Sequence, residues 1–186
     1  MISEGTIIEN QIRGKIKELE ERYGIELSTT QKILLSIREP ITIILDVLYG
    51  EVNLFMLGQH VEEANADIAK LLDLNEGEKV DYREVIVHKH GRPLVYALSY
   101  VPISRCSEKV INDLCKEKLT TGNIIEKYNV ETLRRINNIS IEEPTPQLQE
   151  LFKTDENMLT REYVMVQHGK IKIWTKEAYP LSYFRE

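Results

Sequence analysis

Glu177 and Arg83 are the two side chains whose type and spacing point most directly to chemistry. Along Lys172-Ile173-Trp174-Thr175-Lys176-Glu177-Ala178-Tyr179, residues two apart share one face of a strand. Lys172, Trp174 and Lys176 mark the wetter face, so Ile173, Thr175, Glu177 and Tyr179 fall on the drier one. A carboxylate on an otherwise apolar face costs free energy unless it is paired or used. Arg83 heads another strand, and its planar fork can grip a carboxylate through two hydrogen bonds. Together they suit a pocket that holds a small organic acid and works on it by hydrogen bonding or proton transfer. The competing account is a strand glutamate paired with an arginine for stability alone.

The elements that must position these residues form a repeat. Residues 83–102 laid over 161–180 without gaps put Arg83-Glu84 on Arg161-Glu162, His90-Gly91 on His168-Gly169, Tyr96 on Trp174 and Pro102 on Pro180. Each unit reads as strand, His-Gly turn, strand, then a proline that stops the ladder. The turn glycine accepts the positive φ of a tight hairpin. Ser99 is the counterpart of Glu177, and there the copies part company. Arg161 lacks that asymmetry and is expected to pair structurally. Glu84 and Glu162 are expected to partner arginines across the sheet.

Before the repeat, Ile7, Ile8, Ile12, Ile16, Leu19 and Tyr23 recur at helical spacing and stop at Gly24. Ser28, Thr29 and Thr30 offer caps for a second helix ending before Pro40. The β-branched run Ile41–Tyr49 and the segment Val52–Leu57 read as two strands joined at Gly50. Glu62–Leu72 reads as a short amphipathic helix. Ser107 caps a helix through Lys118 that buries Cys115, and Leu133–Ile141 reads as a strand. Thr145-Pro146 supplies the cap and first residue of another helix. The expected architecture is α+β, a single antiparallel sheet backed by helices. Residues 1–39 form helices packed on a domain of residues 40–186.

Thirty acids against 24 bases leave a net charge of −6, which repels nucleic acid and anionic membranes. An anionic ligand therefore needs arginines gathered locally. The first residues lack the basic start and apolar core of a signal peptide, and no run is apolar enough to span a bilayer, so a cytoplasmic protein is expected. Cys106 and Cys115 match no zinc or redox spacing, and the four histidines make no metal motif.

Asp81-Tyr82-Arg83-Glu84-Val85-Ile86-Val87, then Gly91-Arg92-Pro93-Leu94 and Ala97 through Pro102, resembles the central hairpin of chorismate pyruvate-lyases, their archaeal branch in particular. The second hairpin through Glu177-Ala178-Tyr179-Pro180 is similar to that family's C-terminal arm. Thr121-Gly122 resembles the segment over the pocket, and Ile41-Thr42 the strand leading into the domain. The resemblance spans roughly residues 33 to 184 and implies about six antiparallel strands with a ligand enclosed beneath helices. It implies conversion of chorismate to 4-hydroxybenzoate and pyruvate with no metal and no organic cofactor. Arg83 would hold the ligand carboxylate and Glu177 would lie near the ring oxygen, with Ala97 and Arg134 (or Arg135) also lining the site. In the bacterial pattern the glutamate follows the turn glycine by seven residues, whereas Glu177 follows Gly169 by eight. Either a bulge restores the register or Lys176 takes the place. The bacterial arginine near Leu98 is absent here. The same superfamily includes UTRA domains, which sense small effectors without catalysis, and the stretch Ala64 to Arg83 resembles theirs. A partner is thus expected to be an aromatic or cyclohexadiene carboxylate; a structural domain with an empty pocket is the third reading.

Overall fold

The computed structural model describes residues 4–110 and 133–185, with side chains from Gln11 onward. Two helices lead the chain. In α1 (Glu4–Tyr23) Ile12, Ile16 and Leu19 share one face and are buried. The helix ends at Gly24, whose φ of 61° no β-branched residue would adopt readily. In α2 (Thr29–Ser36) Ser28 and Gln31 form a reciprocal capping box. Gln31 also donates to the carbonyls of Leu181 and Tyr183, both at 2.8 Å, fastening α2 to the end of the chain.

Ile41–Tyr49 is a helix, α3, and not the expected strand. Its β-branched residues favour extended backbone locally, but Ile41 and Leu45, one turn apart, both reach the core, and Leu45 is fully buried. Burying such side chains contributes about 1.5–3 kcal/mol each, more than the helix propensity lost at the isoleucines. Gly50, at φ 73°, ends the helix.

From here the chain builds one unit twice. The first is β1 (Asn53–Glu63), α4 (Ala66–Leu72), β2 (Lys79–Lys89) and β3 (Arg92–Pro102). The second is β4 (Leu133–Glu142), α5 (Pro146–Phe152), β5 (Met158–Gln167) and β6 (Lys170–Pro180). The expected helix from Glu62 begins later, because Glu62 and Glu63 finish β1 and Asn65 caps α4. Thr145 caps α5 with Pro146 in its first turn, as expected. Ser107 accepts from Val110 N at 3.4 Å; the rest of the expected helix, with Cys115, lies outside the described residues.

The six antiparallel strands are ordered β1-β2-β3-β6-β5-β4, so the two units meet at β3 and β6. Their central pair, Leu98 opposite Lys176, marks a local two-fold axis, because an offset of 78 residues carries one onto the other. The repeat extends to irregularities. Each hairpin turns on histidine and glycine at positive φ (His90 49° and Gly91 82°; His168 50° and Gly169 74°), the geometry that matches strand twist. Each has one extra residue just past the turn, Leu94 in β3 and Lys172 in β6. Each edge strand has one too, Leu57 in β1 and Asn137 in β4.

Both faces of the sheet are covered. The N-terminal helices pack over one face in the largest core cluster. On the other, α4 rests on Val164 and Trp174, while α5 rests on Ile86 and Tyr96. Each unit's helix therefore lies on its sister's strands. The face read as wet is in fact capped: Trp174 is buried beneath α4, with the lysines only at its margins. No helix among the described residues is long and apolar enough to cross a membrane, which says nothing of a strand-built barrel.

Candidate active site

The other face holds a cavity of about 70 Å³ that straddles the local axis. Its floor is a set of counterpart positions: Val87 and Met165, Val95 and Ile173, Ala97 and Thr175, Ser99 and Glu177. Alternation along each strand delivers them to one side. Pro40, Ile41 and Thr42 close it from above, so Ile41 and Thr42 reach the cavity from the start of a helix and not from a strand.

Glu177 is 4% exposed and lines this cavity. The extra residue at Lys172 shortens the effective spacing from Gly169, putting Glu177 on the cavity face. Lys176 points to the opposite face and pairs with Glu142 at 2.7 Å and Glu162 at 3.4 Å. Of the two registers left open by the sequence, Glu177 is the one at the cavity. Its Oε2 accepts from Arg161 Nε at 2.5 Å and its Oε1 from Tyr163 Oη at 3.0 Å. Arg161 is fully buried and also donates from Nη1 to the carbonyls of Leu34 (2.5 Å) and Ile37 (3.0 Å) in the helical layer. Burial alone would lower the guanidinium's pKa, but the Glu177 carboxylate outweighs it and raises it.

Arg83, 2% exposed, lines the same cavity. Its cross-strand neighbour is Ser99, whereas Arg161 stands opposite Glu177. Ser99 hydrogen-bonds Thr175 across the axis at 2.9 Å. Among the described residues Asp81 pairs with Arg83 at 4.0 Å and is itself held by Gln59 at 2.9 and 3.1 Å. Burial raises the Asp81 pKa, against lowering by Gln59 and Arg83. Arg134, 6% exposed, comes from β4 with its guanidinium 4.6 Å from the centre of the Tyr163 ring. Arg83, Arg134 and Glu177 thus line a largely apolar space, with Arg161 bonded to Glu177 and Asp81 beside Arg83, an arrangement suited to an organic anion.

The structure brings Arg83, Glu177, Ala97, Ile41, Thr42 and Arg134 to one cavity. Thr121 and Gly122 lie outside the described residues. Among the described residues Glu84 and Glu162 have no arginine partner: Glu84 accepts from Tyr96 Oη, and Glu162 pairs with Lys176. They point away from the cavity, where the available partners are tyrosine and lysine. Sequence reasoning missed Tyr163 and Asp81. The repeat offset sets Tyr163 against Val85 and Asp81 against Leu159, a contrast as sharp as the one that singled out Glu177. A larger groove, about 780 Å³, runs between α1 and α2, but it is open and its Glu20 is already paired with Lys32 at 2.9 Å.

The fold is shared with solved domains of bacterial transcriptional regulators. A GntR-family transcriptional regulator from Bacillus cereus superposes with a TM-score of 0.61 at 14% identity, covering 72% of this chain and 94% of that one. The effector domain of PhnF from Mycobacterium smegmatis gives 0.58 at 14% identity (70% and 81% covered). The C-terminal domain of the histidine utilization repressor from Pseudomonas syringae gives 0.59 at 15% (70% and 92%). At such identities the likeness speaks for the fold, which is UTRA-like. A protein of Methanocaldococcus jannaschii named "Putative lyase MJ0807" is 33% identical over 152 residues, covering 78% of this chain and 74% of that protein. The family model described as chorismate pyruvate-lyase Rv2949c-like matches residues 39–185, which span all six described strands and the helix that roofs the cavity. The chain belongs to the chorismate pyruvate-lyase Rv2949c-like family.

Proposed function

We propose that the protein is a chorismate pyruvate-lyase that works in the cavity on the local axis, forming 4-hydroxybenzoate and pyruvate without a cofactor. The observation that carries this is the unequal pairing of two equivalent arginines: Arg161 faces Glu177, while Arg83 faces Ser99. Arg83 therefore brings a guanidinium to the cavity with no carboxylate directly across from it on either neighbouring strand. Chorismate carries two carboxylates, and a guanidinium matches either one through a bidentate pair.

In the reaction the bond between the ring carbon and the ether oxygen breaks, and the neighbouring ring carbon gives up its proton as the ring becomes aromatic. The enolpyruvyl group leaves and takes a proton at its methylene carbon to become pyruvate. Aromatisation supplies most of the driving force, so the protein has to orient the ring and stabilise charge growing on the ether oxygen. In this reading Arg83 holds the ring carboxylate and Arg134 the enolpyruvyl one. Glu177 keeps acceptor capacity beyond its two bonds and takes the ring hydroxyl. Ala97 leaves room for the ring. Ile41 and Thr42 close the roof and must yield for a ring to enter so small a space. Thr121 and Gly122 join the cover on the strength of the resemblance alone.

A second reading, a sensor that binds a small carboxylate without turnover, is favoured by the likeness to regulator domains. One experiment separates the two. Purified protein is mixed with chorismate, 4-hydroxybenzoate is followed by ultraviolet absorbance and pyruvate by a coupled dehydrogenase. The lyase reading expects stoichiometric products and a loss of at least about a hundredfold in Arg83→Ala. Binding of 4-hydroxybenzoate without product formation from chorismate would establish the sensor instead.

A further inference from the structure

We infer that Tyr163 is a positioning residue that aims Arg134 into the cavity as a second anion holder, so that the site selects ligands with two carboxylates over ligands with one. The inference rests on reading the cavity as a carboxylate site, but it does not require turnover.

Arg134 is a costly residue where it stands. Its side chain is buried, and its Nε and Nη1 have no hydrogen-bond partner among the described residues. What it has is the face of Tyr163, 4.6 Å from the guanidinium carbon to the ring centre. A cation over an aromatic face is held by the ring quadrupole, and the attraction grows when water is excluded. It leaves the in-plane N–H donors of the guanidinium directed elsewhere, available to an acceptor. The ring cannot swing away, because its hydroxyl donates to Glu177 and Glu177 is gripped by Arg161. Arg161 lies 5.4 Å from the same ring. The chain Arg161–Glu177–Tyr163–Arg134 is thus a rigid strut ending in a guanidinium at the cavity wall.

In the duplicated sheet the last two members of this strut depart from their counterparts together. The counterpart of Tyr163 is Val85, and the counterpart of Arg134 (at an offset of 80, set by the strand register) is Leu54. All four residues line the cavity. One half therefore offers an aliphatic pair where the other offers an arginine on a tyrosine. Arg83 approaches from β2 and Arg134 from β4, with three strands between them. Two guanidiniums addressing one cavity from opposite halves of the sheet call for a ligand with an acid group at each end.

The repeat also supplies the test variants. Affinities of 3-(carboxymethoxy)benzoate, an unreactive aryl ether with two carboxylates, and 3-methoxybenzoate, its one-carboxylate analogue, are measured by calorimetry. Wild type, Tyr163→Phe, Tyr163→Val and Arg134→Leu are compared. Wild type should favour the dicarboxylate by at least about tenfold. Tyr163→Phe keeps the ring but cuts its tie to Glu177, and should show a preference between those of wild type and Tyr163→Val. Tyr163→Val and Arg134→Leu should lose it while binding the monocarboxylate nearly as wild type does. Should Tyr163→Val fail to fold, Arg134→Leu and Tyr163→Phe still decide. A wild-type preference near one, or a preference that survives Arg134→Leu, overturns the inference. If chorismate is not turned over but the preferences follow this pattern, the lyase reading falls and the dicarboxylate site stands; if neither ligand binds, both fall.

Discussion

The two β-α-β-β units share turns, bulges and helix placement, and differ in where they keep their acid. In the second unit the acid stands directly across from the arginine, Glu177 opposite Arg161, with aliphatic Ile139 and Leu159 at the remaining counterpart positions. In the first, the acid sits two residues up the same strand, Asp81 beside Arg83, held by Gln59 and separated from the guanidinium by 4.0 Å. A tight pair welds one half of the cavity shut. In the other half no carboxylate stands directly across the strands from the guanidinium. Duplication provides a symmetrical shell, and a few unequal substitutions give it a direction.

Breaking the tight half should cost the most. Glu177→Ser copies the first unit into the second and strands Arg161 in the core, so denaturant unfolding should show a loss of about 3–5 kcal/mol. Ser99→Ala, at the equivalent site, should cost less than about 1 kcal/mol. Similar losses for the two would mean that the halves are not built differently. The reverse exchange, Ser99→Glu, places a carboxylate opposite Arg83. Turnover of chorismate should fall by about a hundredfold, the equivalent of ~2.7 kcal/mol, with the fold intact by circular dichroism. Unchanged activity would remove Arg83 from the site.

A smaller effect concerns Asp81. Its carboxyl is held above the usual range by burial, so it is protonated more readily folded than unfolded. Such a group contributes stability that is fully present below its unfolded pKa and lost as pH rises through the folded one. Stability measured upward from about pH 4 should therefore fall more steeply in wild type than in Asp81→Asn. Parallel curves would show that Asp81 is not the buried acid described above. The smallest effect tests the likeness of the units. His90→Asn and His168→Asn, both at positive φ in a two-residue turn, should each add about 0.5 kcal/mol, and by the same amount.

The hairpins were legible because a two-residue period, a turn that needs glycine and a terminating proline recur at one fixed offset. That offset also singled out Glu177 and placed Arg83. α3 was misread because Ile41–Tyr49 carries a strand-like composition, and only burial of Ile41 and Leu45 beneath the helical layer turns it into a helix. Likewise, nothing local to Lys172-Ile173-Trp174 says that α4, over a hundred residues earlier, covers the tryptophan. Tyr163 was in plain sight, aligned with Val85, yet its weight comes from a contact with β4, whose match to β1 is offset by two further residues and escapes an ungapped comparison.

The hydrogen bonds from Arg161 to the carbonyls of Leu34 and Ile37 have a practical consequence. Both acceptors precede residue 39, where the family match begins. A chain trimmed to that boundary would keep every strand and every cavity-lining residue, yet take two acceptors from a guanidinium sealed inside the protein. The shortened protein should melt early and bind ligand poorly, and the fault would lie in a missing ceiling rather than a damaged floor.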